Sequence, residues 1–260
     1  MKLKKSLGQN FLKDIFYLDK IITSSQINKT KNVVEIGPGD GALTGLILQN
    51  SNHLKAFELD NRFCEFLKKK YISSNFEVFN KNFLDVDLGD ICISENIIMG
   101  NLPYNVSSQI IIKIIESNLS YQHCIFLIQK ELANRFVKSS KSSKLSIQSQ
   151  FFCDVEPLFD IPPEAFDPAP KVNSTVIKIT PHKQYKEYIS SYSSFKKVLT
   201  ICFANPRKKI STALKNLNVG SSKFSFDLNS RAEELEINDY FEILMQLSLI
   251  HISEPTRLGF

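Results

Sequence analysis

No two cysteines in this chain stand at C-x-x-C spacing, and its histidines do not cluster. Cys64, Cys92, Cys124, Cys153 and Cys202 are scattered, as are His53, His123, His182 and His251. Zinc-ligand spacing is therefore missing, and no metal site is expected. An odd cysteine count without a secretory signal fits a reducing, cytoplasmic setting in which thiols act as small hydrophobes. Every apolar run falls short of the roughly 20 residues that span a bilayer. The basic start, Met1 to Ser6, leads into no apolar core, so no membrane or targeting segment is expected. Internal repeats are lacking too. A strong excess of one charge is also absent: 32 Lys and Arg face 27 Asp and Glu, a net charge of +5. That balance permits a nucleic-acid partner without requiring one.

What the 260 residues do supply is apolar mass: 43% are hydrophobic, with 20 Phe, enough to bury an ordinary core and exclude wholesale disorder. After a basic leader, Asp14 is a candidate N-cap for a helix carrying Ile15, Phe16, Leu18, Ile21 and Ile22. Strand and helix then alternate. Strands are expected at Val33–Ile36, His53–Leu59, Phe76–Phe79, Asn96–Met99 and Cys124–Ile128. Helices are expected at Ala42–Gln49, Arg62–Tyr71, Val106–Glu116 and Glu131–Val137. This rhythm implies an α/β, Rossmann-like, mostly parallel sheet covered by helices. Past an exposed loop at Ser139–Ser143 the rhythm changes. Leu145–Phe152 and Ser174–Ile179 read as an antiparallel pair closing the sheet, joined by a proline-rich loop from Pro157 to Pro170. The pattern beyond Pro181 is helical to Leu249. The expected organisation is thus a catalytic domain over 1–182, a small helical domain over 183–249, and a tail over 250–260. That tail lacks periodicity and resembles translated adapter sequence, so it is read as non-native or disordered.

Four motifs carry chemistry. Glu35-Ile-Gly37-Pro-Gly39-Asp-Gly41 follows a strand and opens a helix, so its backbone can bend tightly and approach a ligand. Its G-x-G-x-G spacing differs from the G-x-G-x-x-G of dinucleotide binders. Glu58 ends the next strand, where a carboxylate can accept from both hydroxyls of a ribose. The plainer alternative is a strand-to-helix turn beside a surface glutamate. The second motif, Gly100-Asn101-Leu-Pro103-Tyr104, ends the fourth strand, where open α/β sheets place reactive groups. The lone pair of adenine N6 is delocalised into the ring. Carbonyls from Asn101 and from the backbone at Leu102 or Pro103 can accept its hydrogens and favour a pyramidal amine, with Tyr104 stacking on the base. The plainer alternative is a proline turn whose Asn caps the next helix.

The third motif is the stiff loop Ile161 to Val172, which holds Phe166 as a second wall of a base pocket or, equally, as an ordinary core side chain. The fourth, Phe203 to Lys209, sets Arg207, Lys208 and Lys209 at a helix start, suited to phosphates or simply to water.

Taken together, Ser6-Leu-Gly-Gln-Asn-Phe-Leu12, the NLPY box at 101–104, Phe166-Asp-Pro-Ala-Pro-Lys-Val172 and Arg207-Lys-Lys209 resemble the ribosomal RNA adenine N6-dimethyltransferases, in particular the bacterial small-subunit branch. The resemblance runs from Ser6 to about Leu249. It implies S-adenosylmethionine as cofactor, a helical C-terminal domain that meets RNA, and dimethylation of two adjacent adenosines near the 3′ end of small-subunit rRNA. Carried over by position, Asn10, Leu12, Gly37, Gly39, Glu58 and Asn101 would meet the cofactor, and Asn101, Pro103, Tyr104 and Phe166 the target base. Lys4, Lys5 and Arg207 to Lys209 would meet RNA, in an immature small subunit, with the enzyme a monomer. One position departs: where the family has an aspartate toward the cofactor adenine, this chain has Asn82, which keeps a carbonyl acceptor and adds an amide donor. Two rivals share much of this pattern. One is the large-subunit adenine methyltransferase of macrolide resistance, disfavoured by Phe203–Lys209 and Lys144-Leu-Ser-Ile147. The other is a non-catalytic RNA-binding factor, which need not keep Asn101, Pro103 and Tyr104 together. Nothing suggests a duplex-reading domain for DNA methylation.

Overall fold

The computed structural model describes residues 10–91, 96–117, 120–219 and 224–253. Lys4, Lys5, the leader up to Gln9, Cys92 and the tail from Glu254 lie outside them. The chain forms two compact units, one from the described residues up to Asn134 with Cys153–His182, the other from Arg135–Phe152 with the described residues from Lys183 onward.

The first unit opens with β1 (Phe11–Leu12) and α1 (Ile15–Ser25). Asp14 caps α1 as its sequence suggests, accepting from the Phe16 N–H at 2.9 Å. There follow β2 (Asn32–Ile36), α2 (Ala42–Asn50), β3 (His53–Glu58), α3 (Asn61–Lys70), β4 (Phe76–Asn80), β5 (Asn96–Asn101), α4 (Ser107–Ile115), β6 (Tyr121–Gln129) and α5 (Lys130–Phe136). The seven-stranded sheet has the order β4-β3-β2-β5-β6, then β9 (Ser174–Pro181) and β7 (Cys153–Ile161) at one edge. β2 pairs in parallel with β3 and β5, and only β9 runs against its neighbours. The central strands are near-continuous apolar runs because helices cover both faces. The fold is α/β and Rossmann-like, as expected.

Chain order reverses between β2 and β5. Their carboxyl ends therefore flank the crevice where open α/β sheets bind ligands. Gly100 permits that neighbourhood: a Cβ there would lie 2.5 Å from the Ile36 carbonyl oxygen. Leu12, Leu18, Ile21, Val33, Ile47, Met99 and Phe166 belong to one buried cluster beside this crevice.

Two expectations need correction. Leu145–Phe152 is not a strand but α6 (Lys144–Gln150). Ser143 and Ser146 close a capping box at its start, and the buried Ile147 and Phe151 lie four apart on one face. The strand that pairs with β9 is β7, inside the stretch read as loop. It tolerates Pro157 because it is an edge strand with a register shift between Pro157 and Phe159. The unit boundary moves with it, since Arg135–Phe152 group with the C-terminal helices and not with residues 1–134.

The second unit contains α6, α7 (Tyr192–Cys202), α8 (Ile210–Asn216) and α9 (Ile237–Ser253). Phe151, Phe195, Leu199, Tyr240, Phe241 and Leu244 are part of its core. α9 runs to Ser253, past the expected boundary at Leu249. The Ser139–Ser143 loop is tied within this unit: Lys141 pairs with Glu233 at 2.9 Å, and the Ser142 N–H donates to the Glu233 carbonyl at 2.6 Å. Among the described residues, no helix is long and apolar enough to cross a membrane. No group of three metal-ligating side chains occurs among them. Burial pushes the Cys64 thiol up to about 11 and those of Cys153 and Cys202 to about 12, so they stay protonated.

Candidate active site

The turn after β2 carries positive φ at Gly37 (69°), Gly39 (55°) and Gly41 (81°), a conformation that side-chain-bearing residues adopt at a cost. A second constraint acts at Gly39, where a Cβ would stand 2.5 Å from the Phe11 ring. The loop is thereby bare backbone, held between the leader strand and the end of β3. The Gly37 N–H donates to the Phe57 carbonyl at 2.9 Å, and the Gly39 N–H to Glu58 Oε2 at 3.0 Å.

Glu58 is nearly buried, and its other oxygen accepts from the Asp60 N–H at 2.8 Å. Burial raises its pKa, while the N–H groups of Asp60 and Gly39 pull the other way. Each oxygen keeps a lone pair, so the carboxylate can still accept from two hydroxyls. Deeper in the sheet, Glu35 accepts from the Thr44 hydroxyl at 2.7 Å, and burial pushes its pKa up to about 8. It borders a separate small cavity of about 30 Å³ with Leu12, Gly100 and Asn101.

On the other side of the crevice stands Asn101. Its Nδ2 donates to the Asn10 carbonyl at 2.8 Å. That bond fixes the amide and leaves the side-chain oxygen as an acceptor at the cavity wall. The Pro103 carbonyl already accepts from the Ser107 hydroxyl at 2.7 Å and the Val106 N–H at 3.1 Å. Of the two backbone candidates this favours Leu102, since both Pro103 lone pairs are taken. Tyr104 is held by its hydroxyl, 2.5 Å from Ser174 Oγ on β9, and burial raises its pKa.

These groups line one open cavity of about 190 Å³, bordered by Asn10, Phe11, Gly37, Gly39, Glu58, Asn82, Asn101, Pro103 and Tyr104. Leu59, Phe83 and Ile110 give it an apolar side. A polar end with a carboxylate, a bare-backbone loop and an apolar slot fit a nucleoside bearing a short charged chain.

The profile of the family described as Ribosomal RNA adenine dimethylase matches residues 1–248. The chain belongs to that family. It is an S-adenosylmethionine-dependent rRNA adenine dimethyltransferase. A Ribosomal RNA small subunit methyltransferase A of Francisella tularensis is 36% identical over 260 residues, covering 95% of this chain and 98% of that protein. One from Mycoplasmopsis synoviae is 38% identical over 246 residues, covering 90% and 93%. Among solved structures, a dimethyladenosine transferase from Plasmodium falciparum shares the fold with a TM-score of 0.77 at 24% identity, covering 92% of this chain and 98% of that one. A 23S rRNA methyltransferase shares it with a TM-score of 0.73 at 18% identity, covering 92% and 99%.

Within this dimethylase, most of the residues singled out from sequence for cofactor and base meet at one cavity, but Leu12 and Phe166 do not. Leu12 is buried in the core, and its neighbour Phe11 takes the place at the cavity. Phe166, expected as a second base wall, is 5% exposed and does not line the cavity. Both placements share a cause. β1 pairs with β8 (Phe166–Asp167), Leu12 opposite Phe166, and the pair joins the hydrophobic core. Arg207, Lys208 and Lys209 are exposed on the helical unit, with Lys209 Nζ donating to Asn229 Oδ1 at 2.8 Å. Sequence reading missed Thr44, Leu59, Asn80, Lys113 and Ser174. Each is a common residue in an unremarkable string; Leu59 comes with its neighbour Glu58, and the fold brings the others near. Lys113 reaches the Leu84 and Val86 carbonyls at 2.6 Å and fixes the 3₁₀ turn after β4, while Asn80 reaches the Glu58 and Leu59 carbonyls at 3.0 Å and fixes the end of β3.

Proposed function

We propose that this dimethylase methylates the N6 amines of two adjacent adenosines near the 3′ end of small-subunit (16S) rRNA, giving N6,N6-dimethyladenosines. It acts as a cytoplasmic monomer on the immature small subunit, with a role in its maturation. The observation that carries the chemistry is the fixed Asn101 amide, whose oxygen is an acceptor at the junction of glycine loop and NLPY box. The family's small-subunit relatives support the choice of RNA.

In the cofactor half, the Gly37 and Gly39 backbone and Asn10 border the place of the amino-acid portion. Glu58 accepts from the ribose hydroxyls, and Asn82 meets the adenine edge between Leu59 and Phe83. Bound there, S-adenosylmethionine supplies an electrophilic methyl on a sulfonium. In the acceptor half, Asn101 Oδ1 and the Leu102 carbonyl take hydrogen bonds from the target N6 hydrogens. These bonds strengthen as positive charge grows on nitrogen, which is the condition for lowering the barrier and not merely binding. Tyr104 stacks on the base, its ring held by Ser174, and Pro103 shapes the turn. Phe166 supports the leader strand from the core. A second methyl enters when one N6 hydrogen remains, so the pocket must let the monomethylated amine rotate. Arg207, Lys208 and Lys209 of the helical unit, together with Lys4 and Lys5 of the leader, are assigned to phosphates.

The test is transfer of labelled methyl groups to immature small subunits and, separately, to large-subunit rRNA, followed by nucleoside analysis. N6,N6-dimethyladenosine confined to small-subunit RNA is expected. Dimethylation of large-subunit RNA alone would support the macrolide-resistance type, and methylated cytosine or guanine would overturn the adenine assignment.

A further inference from the structure

Asn82, at the rim of the cavity, has a neighbour that decides which way its amide faces. Asn82 starts a single 3₁₀ turn, Phe83–Asp85, at the cavity rim. Its Oδ1 accepts from the Leu84 N–H at 3.2 Å, and its Nδ2 donates to Asp85 Oδ2 at 3.0 Å. The turn itself is pinned from α4 by Lys113, through the Leu84 and Val86 carbonyls.

An aspartate presents oxygen whichever way its carboxylate turns. An asparagine presents an acceptor one way and a donor the other. Adenine carries a donor amine at its sixth position, whereas hypoxanthine carries an acceptor oxygen there. An unrestrained amide can therefore rotate to suit either base and loses the discrimination an aspartate has. Here rotation would set the amide N–H against the Leu84 N–H and the amide oxygen against the Asp85 carboxylate, two unfavourable pairings at once.

We propose that Asp85 is a positioning residue that locks the Asn82 amide with its oxygen toward the cofactor's base, and so sets the preference for adenine over hypoxanthine. The inference rests on the reading that Asn82 meets the cofactor's adenine. It assigns to Asp85 a task that an aspartate at position 82 would not need.

Calorimetry with S-adenosylhomocysteine and S-inosylhomocysteine reads this directly, without turnover. The wild type should bind the adenosyl compound at least about tenfold more tightly. Asp85→Ala should shrink that ratio about threefold or more, as expected for one net hydrogen bond. Asp85→Asn keeps a carbonyl acceptor and should restore the ratio, separating the hydrogen bond from the charge. In an Asn82→Asp background the lock is redundant, so adding Asp85→Ala should leave the ratio unchanged. Equal weakening of both compounds by Asp85→Ala would make Asp85 a helix cap only and overturn the proposal. Unchanged binding of both compounds by a folded Asn82→Ala would instead remove Asn82 from the base and overturn the reading beneath it.

Discussion

Among the described residues, the sheet unit buries Glu35, Glu58 and Asp60, whereas the helical unit buries no charged side chain and keeps Arg207, Lys208 and Lys209 in solvent. Burying a carboxylate is costly unless hydrogen bonds replace water. Each buried acid in the sheet unit has such bonds: Thr44 to Glu35, the Gly39 and Asp60 N–H groups to Glu58, and Arg62 to Asp60. The helical unit is an ordinary aromatic core with charge left outside, with Phe151, Phe195, Tyr240 and Phe241 at its centre. The contrast teaches where specificity of geometry resides. In the function we propose, the fixed polar groups belong to the unit that positions reacting atoms, and the solvated basic face to the one that attracts a polyanion.

The sharpest test of that contrast is Asn101→Ala. It removes the side-chain acceptor for the target amine and releases the Asn10 carbonyl, so methyl transfer should fall on the order of 100-fold or more, as when an electrostatic partner of a transition state is lost. Residual product should be enriched in monomethyladenosine, since the second transfer depends on the same acceptor. Labelled-methyl transfer with nucleoside analysis, beside a melting curve to show folding, gives the answer. Full dimethylation by this variant would dissolve the mechanism. Glu58→Ala comes next, with cofactor affinity expected to drop more than about tenfold as two ribose hydrogen bonds vanish and the Gly39 N–H loses its partner. Glu58→Gln should also weaken binding, because its amide must face one of the two N–H donors. Calorimetry showing wild-type affinity in either variant would take Glu58 out of the site.

Much of the sheet unit was legible because its signals are local. The Gly37–Gly41 turn, the acid at the end of β3 and the NLPY box are each set by neighbours in sequence, and the alternation of short apolar runs with helices implies a mostly parallel sheet covered by helices. What stayed hidden depends on distant partners. Phe166 reads equally as pocket wall or core until β8 is seen paired with β1. Leu145–Phe152 alternates well enough for a strand, but the Ser143 cap and burial against the C-terminal helices make it α6. Ser174 gives no hint of Tyr104, seventy positions away, until β9 lies beside β6.

A smaller effect is expected at Glu35, and it appears in stability. Its folded pKa of about 8 lies above the unfolded value of 4.5, so the folded protein holds a proton that the unfolded chain has released. Stability contributed by the protonated group is full below about 4.5 and is lost as pH rises toward 8. Glu35→Gln mimics the protonated form and can still accept from Thr44. It should therefore raise Tm at pH 8 by about 5 °C and leave Tm near pH 4.5 unchanged. An equal shift at both pH values would mean that Glu35 is ionised in the fold. In the helical unit burial also raises the pKa of Asp239, but that side chain is only partly buried and accepts from the Glu236 N–H at 2.8 Å. Among the described residues, no acid there is buried as deeply as Glu35.

The smallest effect on the active site should come from the helical unit's own charges. Replacing Arg207, Lys208 and Lys209 by glutamine removes three exposed cations far from any buried acid network in sequence, so S-adenosylmethionine affinity should stay within about twofold, the tolerance for surface changes. RNA affinity should respond differently. Each cation that no longer neutralises a phosphate takes about 0.7 to 0.9 from the slope of log affinity against log salt, so the triple variant should flatten it by about 2. Lys209 is partly engaged by Asn229, so Arg207 and Lys208 should account for most of that change. The two measurements must part company for the division of labour to hold. A slope that does not move would make the cluster an ordinary solvated face, and a cofactor affinity that falls with it would show that the two units are energetically coupled.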